Sequence, residues 1–173
     1  MSDILSIIKE RRSIRRYQDK AIPPELIEKF KEALISASSA GNLGSRKFYF
    51  VFNQAVKEQL ANTHGRTRWF ILEAPLVIVG CADEKKVAEK YGDRGKNLFA
   101  ITDVSLSMQN AMIFAQEQGL GSCWVGSFDE GKVRKILKLP KHLRPIVILP
   151  VGYPKEMPED KERPGHDTIA EIK

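Results

Sequence analysis

Cysteine and histidine are scarce in this chain, with two of the first and three of the second among 173 residues. Cys81 lies in the apolar run Val77-Ile78-Val79-Gly80-Cys81-Ala82, and Cys123 lies beside Trp124. Neither belongs to a CxxC pair, so zinc-ribbon and thioredoxin chemistry find no support, and both thiols are expected to be buried and reduced. His64, His142 and His166 have no histidine four residues away and no cysteine at ligand spacing, which argues against a metal site. There is no GxSxG elbow, no Walker A sequence and no GxGxxG after a strand. A serine-hydrolase elbow, a P-loop and a Rossmann dinucleotide site therefore drop out. No apolar run approaches the roughly 20 residues of a bilayer span. Met1-Ser2-Asp3-Ile4 lacks the basic region and apolar stretch of a secretion signal, so the expectation is a cytoplasmic protein without a membrane partner. No repeat, low-complexity segment or internal boundary interrupts the chain, which reads as one domain over residues 1–173.

What is present is enough for a sizeable core: 42% hydrophobic residues beside 29% charged ones, the balance of an ordinary globular chain. The net charge of +6 raises the question of nucleic acid. The basic residues are dispersed among acids, however, as where Asp129-Glu130 precedes Lys132-Val133-Arg134-Lys135. Their one concentration, at residues 9–20, is too local for a nucleic-acid groove and suits a single small anion.

Hydrophobic spacing predicts helices from Ile4 to about Arg11, from Pro23-Pro24 through Leu26, Ile27, Phe30, Ala33, Leu34 and Ala37, and over 54–62, 66–73, 98–118 and 129–138. Asp129 is a good N-cap for the last of these. Strands are predicted at Phe48–Phe52, at Leu76–Ala82, which is continuous and therefore central, at Ser122–Ser127, and at Ile146–Leu149, ended by Pro150. The 98–118 helix is apolar nearly all round and must be buried on several sides, one of which another subunit can provide. The charged, proline-containing tail from Gly152 to Lys173 carries Ile169 and Ile172 as anchors. In a dimer it can lie across the partner.

Three short segments carry chemistry. In Arg11-Arg12-Ser13-Ile14-Arg15-Arg16-Tyr17, an extended backbone would aim Arg11, Ser13 and Arg15 to one side and Arg12 and Arg16 to the other. Guanidiniums fork onto phosphate oxygens, and a hydroxyl adds a further donor. In Ser38-Ser39-Ala40-Gly41-Asn42, small polar side chains on a turn can reach the edge of a heteroaromatic ring or a ribityl chain. In Cys123-Trp124-Val125-Gly126-Ser127, Gly126 lets a flat ligand approach the backbone closely. Together they suggest a flat cofactor bearing a phosphate.

On these residues the chain resembles the short members of the FMN-dependent nitroreductase family. The likeness covers nearly the whole length: "RRSIRRY", "SSAGNLGSRKF", "EAPLVIVGCA", "YGDRGKNLFAITDVSLSMQNAMIFAQEQGLGSCWVGSFDEGKVRKIL" and "ILPVGYP" occur in the family's order. The resemblance implies an α+β fold, a central mostly antiparallel sheet flanked by helices, in an intertwined homodimer with the tail 152–173 wrapping the partner. It implies FMN as cofactor and NADH or NADPH as electron donor. By position, Arg11, Arg12, Ser13 and Arg15 resemble the family's phosphate and ribityl contacts. Ser38, Ser39 and Asn42 resemble the loop that reaches the flavin from the second subunit. Val125 resembles the residue lying along the ring, and the backbone N–H of Gly126 or Ser127 resembles the group that bonds flavin N5. Arg163 resembles a phosphate contact from the tail, and Arg66 or Arg68 a group at the N1/O2 edge. Two departures, Gly44 and Ser45-Arg46, fall at the pocket's edge and bear on substrate preference.

The implied activity is ping-pong reduction of nitro compounds, quinones or a related small acceptor, with no side chain acting as nucleophile or general base. A flavin- or nucleotide-binding regulator without turnover is the alternative of another class. A reductive dehalogenase-like member of the same fold is the alternative within it, although the Asp83–Asn97 connection leaves little room for that group's lid.

Overall fold

A computed structural model of the chain describes residues 3–63, 65 and 68–159, with Arg68 described by its backbone alone. In chain order come α1 (Ile4–Glu10), α2 (Pro24–Ile35), β1 (Arg46–Val51), α3 (Gln54–Ala61), α4 (Arg68–Glu73), β2 (Leu76–Asp83), α5 (Glu84–Arg94), α6 (Ala100–Glu117), β3 (Gly121–Ser122), α7 (Glu130–Ile136) and β4 (Leu143–Gly152). The strands form one antiparallel sheet in the order β1-β2-β4-β3. This is the expected α+β arrangement, and β2 is central as its continuous apolar run requires.

Both faces of β2 are covered. Ile78 and Leu76 face a cluster with Phe30 and Leu34 of α2 and Val104, Met108 and Ala111 of α6. Val77, Val79 and Cys81 face a second cluster with Leu60, Phe70, Ile71, Val133 and the N-terminal residues Ile14 and Tyr17. Alternation along a strand sends successive side chains to opposite faces, so a run buried on both sides shows no polar alternation. At Gly80 a Cβ would sit 2.8 Å from Val104 Cγ1 and 3.0 Å from Val147 Cγ1, so α6 packs directly on the strand backbone there.

Several boundaries depart from the sequence reading. The last strand does not end at Pro150 but runs from Leu143 to Gly152. In an antiparallel strand a residue's N–H and C=O point to the same edge. The Pro150 carbonyl accepts from Cys123 N–H at 3.4 Å, on the side away from β2, so its missing N–H costs no bond to β2. The expected strand over 122–127 is reduced to Gly121–Ser122, with Val125 rejoining β4 through a bridge to Ile148. The Asp83–Asn97 connection is not a short loop. It is α5, capped by Asp83, whose side chain accepts from Lys86 N–H at 3.0 Å, and then a wider helical turn over Gly95–Phe99 leading into α6. Its one fully buried side chain is Val87, too little apolar periodicity to register in the sequence. Within the continuous helical run Glu84–Glu117, one 18-residue stretch is apolar enough to cross a membrane by length and composition alone. Its buried side chains are engaged by the sheet and α2.

Candidate active site

The N-terminal segment is extended and lies along β3. Ser13 forms a parallel bridge with Ser122, Ile14 N–H donates to Ser122 O at 3.1 Å, and Gln18 N–H donates to Tyr153 O at 2.9 Å. Ile14 and Tyr17 anchor it: the Tyr17 hydroxyl donates to Ile14 O at 2.6 Å, with Pro150 O a second acceptor at 3.2 Å. A Cβ at Gly121 would overlap the Ile14 side chain, so glycine there is what lets the segment approach.

The alternation then sorts the arginines. Arg11, Ser13 and Arg15 act on the Cys123 thiol. Burial pushes that thiol's pKa up, while the Arg15 charge, an Arg15 hydrogen bond, the Arg11 charge and a Ser13 hydrogen bond draw it back. Arg16 turns the other way, its Nε donating to Glu73 Oε2 at 3.1 Å and its guanidinium lying 5.4 Å over the Trp69 ring. Glu73 also accepts from Tyr17 N–H at 3.3 Å. Arg12 donates to Lys9 O at 2.6 Å and to Arg11 O at 3.3 Å, back toward α1. Arg15 and Ser13 thus lie at the Cys123 thiol and the Arg11 charge reaches it, a donor set matched to a phosphate.

Two residues beyond Cys123, Val125 exchanges two backbone bonds of 3.0 Å with Ile148. Gly126 and Ser127 come next, both exposed. A Cβ at Gly126 would meet only Trp124 Nε1 at 3.3 Å and Cδ1 at 3.8 Å, so the fold itself has room for a side chain. The first turn of α7 is capped. Asp129 accepts from Lys132 N–H at 2.9 Å, and Val133 N–H is bonded to Asp129 O.

The loop after α2 is a separate construction. Gly41, Asn42 and Gly44 all have φ near +60°. Ser39 Oγ accepts from Gly44 N–H at 2.9 Å, and Arg46 closes the end of α2 by donating to Ile35 O, Ala37 O and Ser38 O. Ser38 and Asn42 are exposed, and Ser39 and Asn42 edge a cleft of about 460 Å³ floored by Leu34, Phe48 and Phe50. The sequence placed Arg46 at the pocket's edge, where it lines the cleft, but not its role in closing α2, and gave no role to the buried Asp103, which accepts from Ala40 N–H at 2.9 Å. A helix-facing aspartate in an apolar stretch was the one available signal for the second.

The two halves stand at opposite corners of the sheet. Arg46, just after the loop, pairs with Ala82, and Ala82 pairs with Arg144 of β4. Ser122, beside the arginines, pairs with Val151 of β4. Seven residues of β4 separate those levels, about 23 Å, and three strand spacings separate β1 from β3, about 14 Å, for a diagonal of about 27 Å. One chain therefore brings Arg11, Ser13, Arg15, Val125, Gly126 and Ser127 together and leaves Ser38, Ser39 and Asn42 out. Arg68 opens α4 next to Trp69. Arg66 and Arg163 lie outside the described residues.

The family profile described as "Nitroreductase family" matches residues 8–153. A protein of Methanothermobacter thermautotrophicus, provisionally named NADH dehydrogenase/NAD(P)H nitroreductase, is 33% identical over 172 residues, 96% of this chain and 85% of that one. An NADPH-dependent oxidoreductase of Staphylococcus aureus is 26% identical over 90% of this chain and 67% of its own. The crystal structure of a nitroreductase family protein from Clostridium novyi superposes with a TM-score of 0.82 at 27% identity, covering 92% of this chain and 89% of that one. The antiparallel four-stranded α+β fold, the profile over residues 8–153 and the archaeal relative agree, and the chain belongs to the nitroreductase family.

Proposed function

We propose that the protein is a cytoplasmic, homodimeric, FMN-dependent NAD(P)H oxidoreductase that reduces nitro compounds, quinones or a related small acceptor. The observation that carries this reading is the split of the site. The Arg11–Ser13–Arg15 segment lies along Ser122, which leads on to Val125–Ser127, while the loop with Ser38, Ser39 and Asn42 precedes Arg46, which stands at the opposite corner of the sheet about 27 Å from Ser122. A second copy supplies the missing half.

The residues fit the cofactor. Arg11 and Arg15 would neutralise a phosphate dianion and Ser13 would donate to it, while Arg12 turns back toward α1. Arg163, from the tail, adds a further cation. The backbone at Gly126, where a Cβ would meet only Trp124, would lie against a flat ring system, and the Gly126 or Ser127 N–H would donate to the ring's N5. Arg66 or Arg68 would contribute positive charge at the N1/O2 edge; neither side chain lies among the described residues. Bound there, FMN supplies the chemistry of accepting a hydride from NAD(P)H and passing reducing equivalents to an acceptor. The protein binds and orients, and no side chain is required as nucleophile or general base.

Dimerisation is supported by apolar surface on one side of the chain. Ile4, Leu5 and Ile8 of α1 and Leu106 of α6 remain exposed, Ile4 at 65%. Scattered single apolar residues are ordinary, but neighbours on two packed helices are not. The tail 152–173 wrapping the partner belongs to the same proposal; residues 160–173 lie outside the described ones.

The absorption spectrum of purified protein tests the cofactor, with the released chromophore chromatographed against FMN and FAD. Steady-state NAD(P)H oxidation with a quinone or nitroarene then tests turnover. FMN-loaded protein that oxidises no NAD(P)H would establish a regulator instead, and colourless protein that takes up no FMN would end the reading.

A further inference from the structure

We infer that Asp103 is a positioning residue for the flavin-facing loop, acting through the Ala40 N–H. The inference rests on the flavin reading above.

On α6, Asp103, Ser107, Asn110 and Phe114 recur at helical spacing and form one stripe. Its C-terminal part holds α2. Phe114 packs edge-on against Phe30 at 4.8 Å between centroids, and Asn110 Nδ2 donates to Ala33 O at 3.3 Å. The N-terminal part holds the loop after α2, with Asp103 Oδ1 accepting from Ala40 N–H at 2.9 Å. Asp103 is only 1% exposed, and its Oδ2 has no partner among the described residues, nor does Ser107 Oγ.

Beyond its charge acting on Arg46, the buried carboxyl makes a single backbone bond, a poor way to stabilise a helix interface, because desolvation opposes it and a well-packed apolar side chain would serve better. What this bond does is local and geometric. Gly44 N–H to Ser39 Oγ, Asn42 N–H to Ser39 O and Leu43 N–H to Ala40 O close the loop on itself, and Arg46 fastens its start to β1 through Ala37 O and Ser38 O. The Asp103–Ala40 bond ties it to the core helix. It does so at the turn where Ser39 is extended (φ −145°, ψ 154°) and the chain enters three left-handed positions. The opposite side is closed by Tyr91, whose hydroxyl leaves no room for a Cβ at Gly41. A loop held between α5 and α6 presents Ser39 and Asn42 in one direction. Without the tether those groups must be ordered on binding, and affinity falls.

The test compares FMN dissociation constants of flavin-free protein, by fluorescence quenching, for wild type, Asp103→Asn, Asp103→Ala, Ala40→Pro and the double variant Asp103→Ala/Ala40→Pro. Asparagine keeps a carbonyl acceptor and should stay within about threefold of wild type. Proline removes only the Ala40 donor, since an extended Ser39 suits the residue before proline and Ala40 opens a helical turn. Asp103→Ala and Ala40→Pro should each weaken FMN about ten- to hundredfold, the scale of a hydrogen bond to a charged group. The double variant should be no worse than the worse single, because both changes cut the same bond. The visible circular dichroism of bound flavin should change in Ala40→Pro and not in Asp103→Asn. If Asp103→Ala does not fold, Ala40→Pro against Asp103→Asn decides. Ala40→Pro binding within threefold of wild type, or Asp103→Asn losing as much as Ala40→Pro, overturns the inference and leaves the flavin reading standing. Wild-type protein that takes up no FMN overturns both.

Discussion

Ser13 and Ser122 face each other across a parallel bridge, with Ile14 N–H bonded to Ser122 O at 3.1 Å. Through this pairing the N-terminal arginines come to rest beside the glycine-rich segment far along the chain. It also sets their phase: with Ile14 pressed onto Gly121, Arg15 must turn toward Cys123 and Arg16 toward Glu73.

That phase separates two neighbouring arginines. Arg15→Ala should weaken FMN binding by roughly 1.5–3 kcal/mol, the scale of one charge-assisted hydrogen bond. Arg16→Ala removes the bond to Glu73 and the stacking on Trp69, and should leave FMN affinity within about twofold. Fluorescence titration of flavin-free protein measures both, and equal losses would refute the alternation.

Two glycines should fail for different reasons. Gly121→Ala places a Cβ into Ile14 and should lower the melting temperature of flavin-free protein. Gly126→Val meets little but the Trp124 ring edge, so that protein should melt near wild type yet lose flavin binding and reduction. Differential scanning calorimetry with stopped-flow reduction by NAD(P)H separates them. A Gly126→Val protein that binds and reduces FMN normally would remove the 125–127 segment from the flavin.

Stability should fall at high pH. Burial pushes the Cys81 thiol up to about 12, from an ordinary value of 9.0. Between those values the unfolded chain has released a proton that the folded chain keeps, so unfolding becomes easier as pH rises. The contribution is fully present below pH 9 and is lost on the way to 12. Cys81→Ala should flatten the slope by up to about 1.4 kcal/mol per pH unit, measured by urea unfolding from pH 8 to 10.5. An unchanged slope would show that Cys81 is not the group responsible.

Light scattering at micromolar concentration should report twice 19.6 kDa. Ile8→Glu, which places a charge in the exposed apolar surface of α1, should yield a folded monomer without bound flavin. A flavin-loaded monomer, of wild type or variant, would contradict the split site.

Much was legible from local chemistry. The buried run Leu76–Ala82 announced a central strand, Asp129 announced a helix start, and the alternation of Arg11, Ser13 and Arg15 was written in the backbone's own period. These features depend on near neighbours in the chain, where sequence spacing and spatial spacing are nearly the same thing. Others came from contacts between distant residues. α5 is charged on most of its surface and is held by Val87 and its neighbours, so no periodic signal marked it. Pro150 stays within its strand because its missing N–H faces away from β2. Asp103 and Arg46 matter through carbonyls and an amide of a loop that only folding brings to them. The separation of the two half-sites is decided by strand order and register: a sequence lists Ser39 and Arg15 within one stretch of chain, and the sheet, with β2 and β4 between β1 and β3 and their ends offset along β4, sets them at opposite corners.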